Sequence, residues 1–230
     1  MGMEEKNVLM KILSLSDKAI SFIYSPQVQK RFQGVDLIIG CGDLPYYYLE
    51  YALNALDVPL FFVRGNHDKE LEYSTAGKQS SPAGGVDLHR RVINHQGLLL
   101  AGVEGSLRYK PGPFQYTQAE MWNHVFRLVP VFLINYIKTG RYLDVLVTHA
   151  PLKGIHDKQD LCHQGINAFR WLVIVFQPQF CFHGHVHVYR PGHITETRLG
   201  PTRIINTFGF REAFVNPPLK RNSKINLENI

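Results

Sequence analysis

The chain has 230 residues, of which 45% are hydrophobic and 19% charged, so it carries enough apolar side chain for a large core and is too mixed for a disordered or fibrous polypeptide. Its net charge of +6 favours anionic ligands in general, but Lys and Arg are spread along the chain, which does not single out nucleic acid. Three cysteines, Cys41, Cys162 and Cys181, are an odd count without paired spacing. A disulfide framework is therefore not expected; all three read as small buried side chains of a cytoplasmic protein. No signal peptide is expected, since Glu4 and Glu5 lie in the first residues. The most apolar stretch, 125–137, contains Arg127, Pro130 and Asn135 and falls short of the ~20 residues a membrane span needs.

In chain order, residues 8–15 read as a first strand interrupted only by Lys11. Ser25-Pro26 opens a short helix through Phe32, because proline suits a first helical turn. Residues 35–39 are continuously apolar, as in a strand buried on both faces. Residues 46–56 follow as a helix and 59–63 as a third strand. This β-α-β-α-β alternation predicts a parallel sheet with helices outside it. Residues 70–87, rich in Gly, Ser and Pro, read as a long loop. Strands at 91–94 and 98–103 pair around Gln96-Gly97, and 118–138 form a helix kinked or broken at Pro130. A buried strand at 142–148 ends at His149. A helix spans 164–177, and 179–182 lead into His183-Gly184-His185-Val186-His187. Residues 188–195 and 202–208 read as a closing antiparallel pair around Leu199-Gly200-Pro201. No repeat or boundary divides the chain, so a single domain over 1–230 is expected. Its end, 216–230, with Lys220, Arg221 and Lys224, reads as a flexible solvated tail.

Four short segments supply side chains of the kind that hold hard or borderline divalent metals, and most of them directly follow an apolar run. They are Asp17, then Asp43, then Asn66 with His67, and finally His149, His185 and His187. A carboxylate shared by two ions about 3.5–4 Å apart can organise the attacking and leaving oxygens of a phosphoester, and Asp43 suits that bridging place. Gly42 lets backbone approach without a Cβ, and Gly65 and Gly184 serve the same end. Three histidines in five residues at 183–187 favour metal binding through His185 and His187, with His183 as a structural neighbour. Several residues keep two readings. Arg64 is either an ion-pair residue or a phosphate contact, and Arg108 with Tyr109 stands on a loop near the cleft. Asp160, Cys162 and His163 mark a helix entry or touch substrate. Tyr46-Tyr47-Tyr48 reads mainly as helix packing, and His89, His95, His124 and His193 as ordinary structural histidines. The apolar helix around 125–137 is either a core element or a contact face, and a homo-oligomer or partner contact is the preferred reading.

Asp17, Gly42-Asp43, Gly65-Asn66-His67-Asp68, Thr148-His149-Ala150-Pro151 and Gly184-His185-Val186-His187, in this order and spacing, resemble the signature of the calcineurin-like metallophosphoesterase superfamily. The resemblance runs from about residue 8 to residue 208. It implies a four-layer α/β/β/α sandwich of two mixed sheets, with a dinuclear metal centre at strand ends and a bridging hydroxide as nucleophile. One ion would be held by Asp43, Asn66, His149 and His185; the other by Asp17, Asp43, His187 and a histidine at position 19. Here position 19 is Ala19. His67 is implied as general acid or phosphate clamp, with Asp68 orienting it. Ala19 predicts a weaker or differently selective site, because three protein ligands plus water still suffice for an open centre. His156, Asp160 and His163 are candidate substitutes. Mn, Fe and Zn suit the ligand set comparably. The expected activity is phosphatase or phosphodiesterase action on a small phosphorylated molecule or a phosphoprotein, with duplex nucleic acid disfavoured. The rival reading is a catalytically weak scaffold, since the same superfamily contains a retromer subunit that works mainly through interactions.

Overall fold

In a computed structural model the structure describes residues 9–74, 77–189 and 192–216. The expected tail beyond residue 216 lies outside the described residues. The first half of the chain runs β1 (Met10–Ser16), α1 (Gln27–Arg31), β2 (Leu37–Gly40), α2 (Tyr46–Leu56) and β3 (Leu60–Phe62). It then forms a hairpin of β4 (Glu72–Ser74) and β5 (Gly77–Gln79), followed by β6 (Gly85–Asp87), β7 (Val92–His95), β8 (Leu98–Val103), β9 (Ser106–Leu107) and β10 (Gln115–Tyr116). The second half runs α3 (Gln118–Phe126), α4 (Val129–Thr139), β11 (Val145–Thr148), α5 (Asn167–Phe176) and β12 (Phe180–His183). It closes with β13 (Glu196–Leu199), β14 (Thr202–Asn206) and β15 (Gly209–Val215).

These elements build two mixed sheets. One has the order β15-β1-β2-β3-β6, parallel except for the antiparallel pairing of β15 with β1. The other has the order β13-β14-β12-β11-β8-β7, parallel in its middle and antiparallel at both edges. Alternate side chains of each strand point to opposite faces, and the apolar clusters sort accordingly. Ile12, Leu37, Ile39 and Phe61 of the first sheet meet Leu100, Val145, Val147 and Phe182 of the second. Leu13, Leu15, Ile38 and Phe62 pack outward on Val28, Phe32, Tyr48 and Leu49 of the first helical layer. Ala101, Leu146 and Cys181 pack outward on Val125, Phe132, Phe169 and Leu172 of the second. This is the expected α/β/β/α sandwich.

Three expectations are corrected. Residues 70–87 are not one long loop: the hairpin β4–β5 sits inside them, and Gly85–Asp87 adds an edge strand to the first sheet. The strand expected at 188–195 is instead Glu196–Leu199, paired with β14. Gly209–Val215 is a full seven-residue strand that sequence reading missed, because its register with β1 is a long-range choice. The expected break in the helix at 118–138 is real: α3 ends at Phe126, and Pro130 lies in the first turn of α4, where its missing N–H goes unfelt.

Candidate metal centre

The candidate ligand residues sit where strands stop. Asp17 follows β1, Asp43 follows β2, Asn66 and His67 follow β3, His149 follows β11 and His185 follows β12. Asp17, Asp43 and His185 each take left-handed backbone, with φ of 62°, 57° and 67°. That conformation is disfavoured for residues with a Cβ, and it turns each chain sharply off the sheet so that the side chain faces inward. Such strain persists only where the surroundings enforce it. Here they do: the Asp17 carboxylate accepts from the His185 backbone N–H at 3.0 and 3.1 Å, and Asp43 Oδ1 accepts from the His67 N–H at 2.8 Å.

The segments approach so closely that two glycines have no substitute. A Cβ on Gly65 would stand 2.0 Å from Asp43 Oδ1, and one on Gly184 would stand 1.9 Å from Ser16 Oγ and 2.4 Å from Asp17 Oδ2.

Four donor atoms converge at the centre. His149 Nε2 lies 3.0 Å from Asn66 Oδ1, 3.3 Å from Asp43 Oδ2 and 3.1 Å from His185 Nδ1. The outer nitrogen of each imidazole is held by backbone: His149 Nδ1 donates to the Cys41 carbonyl at 2.7 Å, and His185 Nε2 donates to the Cys162 carbonyl at 2.6 Å. Asn66 is oriented likewise, its Nδ2 donating to Tyr109 Oη at 3.2 Å so that Oδ1 faces inward. A ligating histidine ties down its second nitrogen in this way, which fixes the tautomer and aims the bare nitrogen. The donor set of two imidazoles, one carboxylate and one amide oxygen fits a borderline divalent ion.

Charge behaves as such a site requires. Burial alone would push the His149 proton off, but the Asp43 charge and hydrogen bond outweigh it and raise His149 to about 9. Burial would raise Asp43, yet the His149 charge holds that carboxyl below its usual range. Burial and the neighbouring His149 charge press His185 down to about 4. The metal-free centre therefore keeps one proton, shared between His149 and Asp43, where an ion would sit.

Asp17 and His187 stand beside this group, with His187 Nε2 3.5 Å from Asp17 Oδ1 and His187 Nδ1 hydrogen-bonded to the Tyr189 hydroxyl at 2.9 Å. Ala19 is exposed. His156, one proposed substitute, has both ring nitrogens engaged, by His183 and by Thr197 Oγ1. Asp160, Cys162 and His163 form a group of their own, with the His163 ring 5.3 Å from that of His185. His67 is exposed and lines a cleft with Lys69 and Lys110.

The structure decides the residues left open. Arg64 is an ion-pair residue, bonded to Asp87 at 2.6 Å and Glu104 at 3.3 Å. Arg108 pairs with Glu120, whereas its neighbour Tyr109 touches the site. Asp68 Oδ2 accepts from the backbone N–H of Gly65 at 2.7 Å and of Asp43 at 3.1 Å, so this oxygen clamps two loops of the centre together. Cys162 is half-buried rather than buried, and it serves the site through its carbonyl. Tyr46 and Tyr48 are buried, as helix packing requires, and Tyr47 is exposed. The carbonyls of Cys41 and Cys162 were invisible to sequence reading, since no side-chain pattern marks a backbone acceptor.

A two-sheet sandwich that gathers carboxylate, imidazole and amide ligands at its strand ends defines a metal-binding class of α/β protein. The profile of the calcineurin-like phosphoesterase family matches residues 10–189, and the chain belongs to that family. The family comprises metal-dependent phosphoester hydrolases that use divalent ions. No curated protein matches the chain in sequence. Among solved structures, TT1561 of Thermus thermophilus is similar, with 15% identity, a TM-score of 0.60, and coverage of 92% of this chain and 100% of that one. GAP50, described as the anchor in the inner membrane complex of Plasmodium, is similar with 12% identity, a TM-score of 0.51, and coverage of 92% of this chain and 86% of that one. At these identities the likeness concerns the fold.

Proposed function

We propose that this chain is a phosphoester hydrolase with a dinuclear centre, in which Asp43, Asn66, His149 and His185 hold one divalent ion and Asp17, Asp43 and His187 hold the other. The observation that carries the reading is the pair of inward-facing imidazole nitrogens, each fixed by a backbone carbonyl, meeting Asp43 Oδ2 and Asn66 Oδ1 around one point. Bound divalent ions supply Lewis-acid stabilisation of phosphoryl oxygens and activation of water. The protein's own part is positioning. The Asp43 backbone N–H and the Gly65 N–H hold the two ligand loops in register through Asp68. His67, exposed at the rim beside Lys69 and Lys110, meets the departing oxygen as proton donor, and the two lysines favour an anionic substrate. Asp17, His187 and Asp43 would hold the second ion, more weakly than the first would be held, because Ala19 offers no imidazole. The substrate is a small phosphomonoester or phosphodiester. A scaffold role is not favoured by a ligand set whose supporting hydrogen bonds are all in place.

The test is hydrolysis of aryl phosphomonoesters and phosphodiesters by metal-stripped protein titrated with Mn²⁺, beside Asp43→Asn and Ala19→His. Metal-dependent turnover that Asp43→Asn abolishes is expected, with Ala19→His tightening the second binding step. Turnover untouched by Asp43→Asn would overturn the assignment.

A further inference from the structure

Among the described residues, the outer helical layer on the second sheet leaves one face without a partner. α4 buries Phe132 against the core and turns Val131, Leu133, Ile134, Tyr136 and Ile137 to solvent, with Ile137 84% exposed. Phe126, at the end of α3, extends this surface and is 52% exposed. A surface helix ordinarily buries one apolar stripe and shows water a polar face. α4 is apolar on both, so packing within the chain does not account for its composition.

The charged side chains within the stretch that builds this face have one sign. From residue 121 to residue 143 there is no Asp or Glu. Arg127 follows Phe126 and Lys138 follows Ile137, both exposed, and among the described residues neither forms an ion pair; Arg141 is held to Asp144. Arg90 is exposed and acts with Arg127 on His124, where Glu120, itself paired with Arg108, is the opposing charge.

We propose that this face docks on an anionic lipid bilayer, with α4 lying in the plane of the interface, its exposed Leu133, Ile134 and Ile137 in the acyl boundary and Arg127 and Lys138 among the headgroups. The helix has 11 residues, and among the described residues no helix is long and apolar enough to cross a membrane, so it rests on the surface rather than spanning it. Charge selects lipid over a second copy of the chain. A twofold contact sets the same patch against itself, which would bring Arg127 and Lys138 together with no carboxylate to meet them. An anionic headgroup layer supplies the missing negative charge, and apolar insertion combined with basic flanks is the pattern of surface-bound helices.

The test is flotation of the full chain with phosphatidylcholine vesicles, alone or with about 30% phosphatidylglycerol. Binding to the anionic vesicles is expected, weakened by added salt, with at most weak binding to phosphatidylcholine alone. Ile134→Glu with Ile137→Glu is expected to lower binding at least about tenfold while leaving hydrolysis of a soluble aryl phosphate unchanged. Arg127→Ser with Lys138→Ser is expected to lower it without touching the apolar face. Absence of anionic-vesicle binding overturns the proposal, as does equal binding by either double variant. A solution dimer that the isoleucine variant converts to monomer, without vesicle binding, overturns it in favour of self-association.

Discussion

The close contact between Gly65 and the ligand loop makes Gly65→Ala a stringent test of the site. Gly65 lies outside the left-handed region, so alanine brings no backbone strain and the effect is that of one methyl group. Its Cβ would sit 2.0 Å from Asp43 Oδ1 and 2.6 Å from both Asp43 Cγ and His149 Cε1. Ordinary carbon contacts need about 3.5 Å, so the carboxylate must retreat by more than about 1 Å. Metal–ligand distances tolerate about 0.2 Å. Disturbing a supporting residue typically weakens metal binding by about 10- to 100-fold, and here a ligand itself moves, so a loss of at least about 100-fold in Mn²⁺ affinity is expected, or about 2.7 kcal/mol. Overpacking adds about 1–3 kcal/mol of destabilisation to the metal-free protein. Calorimetric Mn²⁺ titration reads the first effect, and urea unfolding without metal reads the second. A folded Gly65→Ala protein with wild-type Mn²⁺ affinity would refute the placement of Asp43 as a ligand.

Other consequences are as specific. Because the metal-free centre keeps a proton on His149 up to about pH 9, an ion must displace it; Mn²⁺ affinity should rise about tenfold per pH unit between pH 6 and 8, and a pH-independent affinity would contradict this. Burial and the Asp43 charge raise Asp68 to about 7, so its contribution to metal-free stability is fully present below the unfolded value of about 3.9 and is lost as pH rises through about 7. That loss amounts to up to about 4 kcal/mol, and Asp68→Asn, which keeps an acceptor for the Gly65 and Asp43 N–H groups, should flatten the pH dependence of the urea midpoint. Arg64→Leu leaves Glu104 and Asp87 without their guanidinium and should cost about 3 kcal/mol, read by urea unfolding with metal affinity unchanged. Phe132→Ala, which empties a fully buried position under α4, should cost about 3–5 kcal/mol.

The sequence by itself determined the local elements whose physics is local. Apolar runs marked β2, β3 and β11, because a central parallel strand is buried on both faces. Tyr46–Leu56 was readable to the residue, and the break before Pro130 followed from a missing N–H. Asp17, Asp43, Asn66 and the histidines were legible as ligand types after strands. Tertiary structure decided what depends on distant partners. β15 is a strand only because β1 offers its edge, and β6 only because β3 does. Asp68 clamps backbone and Arg64 pairs with Asp87 and Glu104, since each choice follows from which loops meet across the site. The aim of His149 and His185 rests on the carbonyls of Cys41 and Cys162, which carry no side-chain signal. The capacity to bind a metal is written in residue type, whereas the geometry of the candidate ligands comes from backbone groups brought together by folding, and every residue carries the same carbonyl.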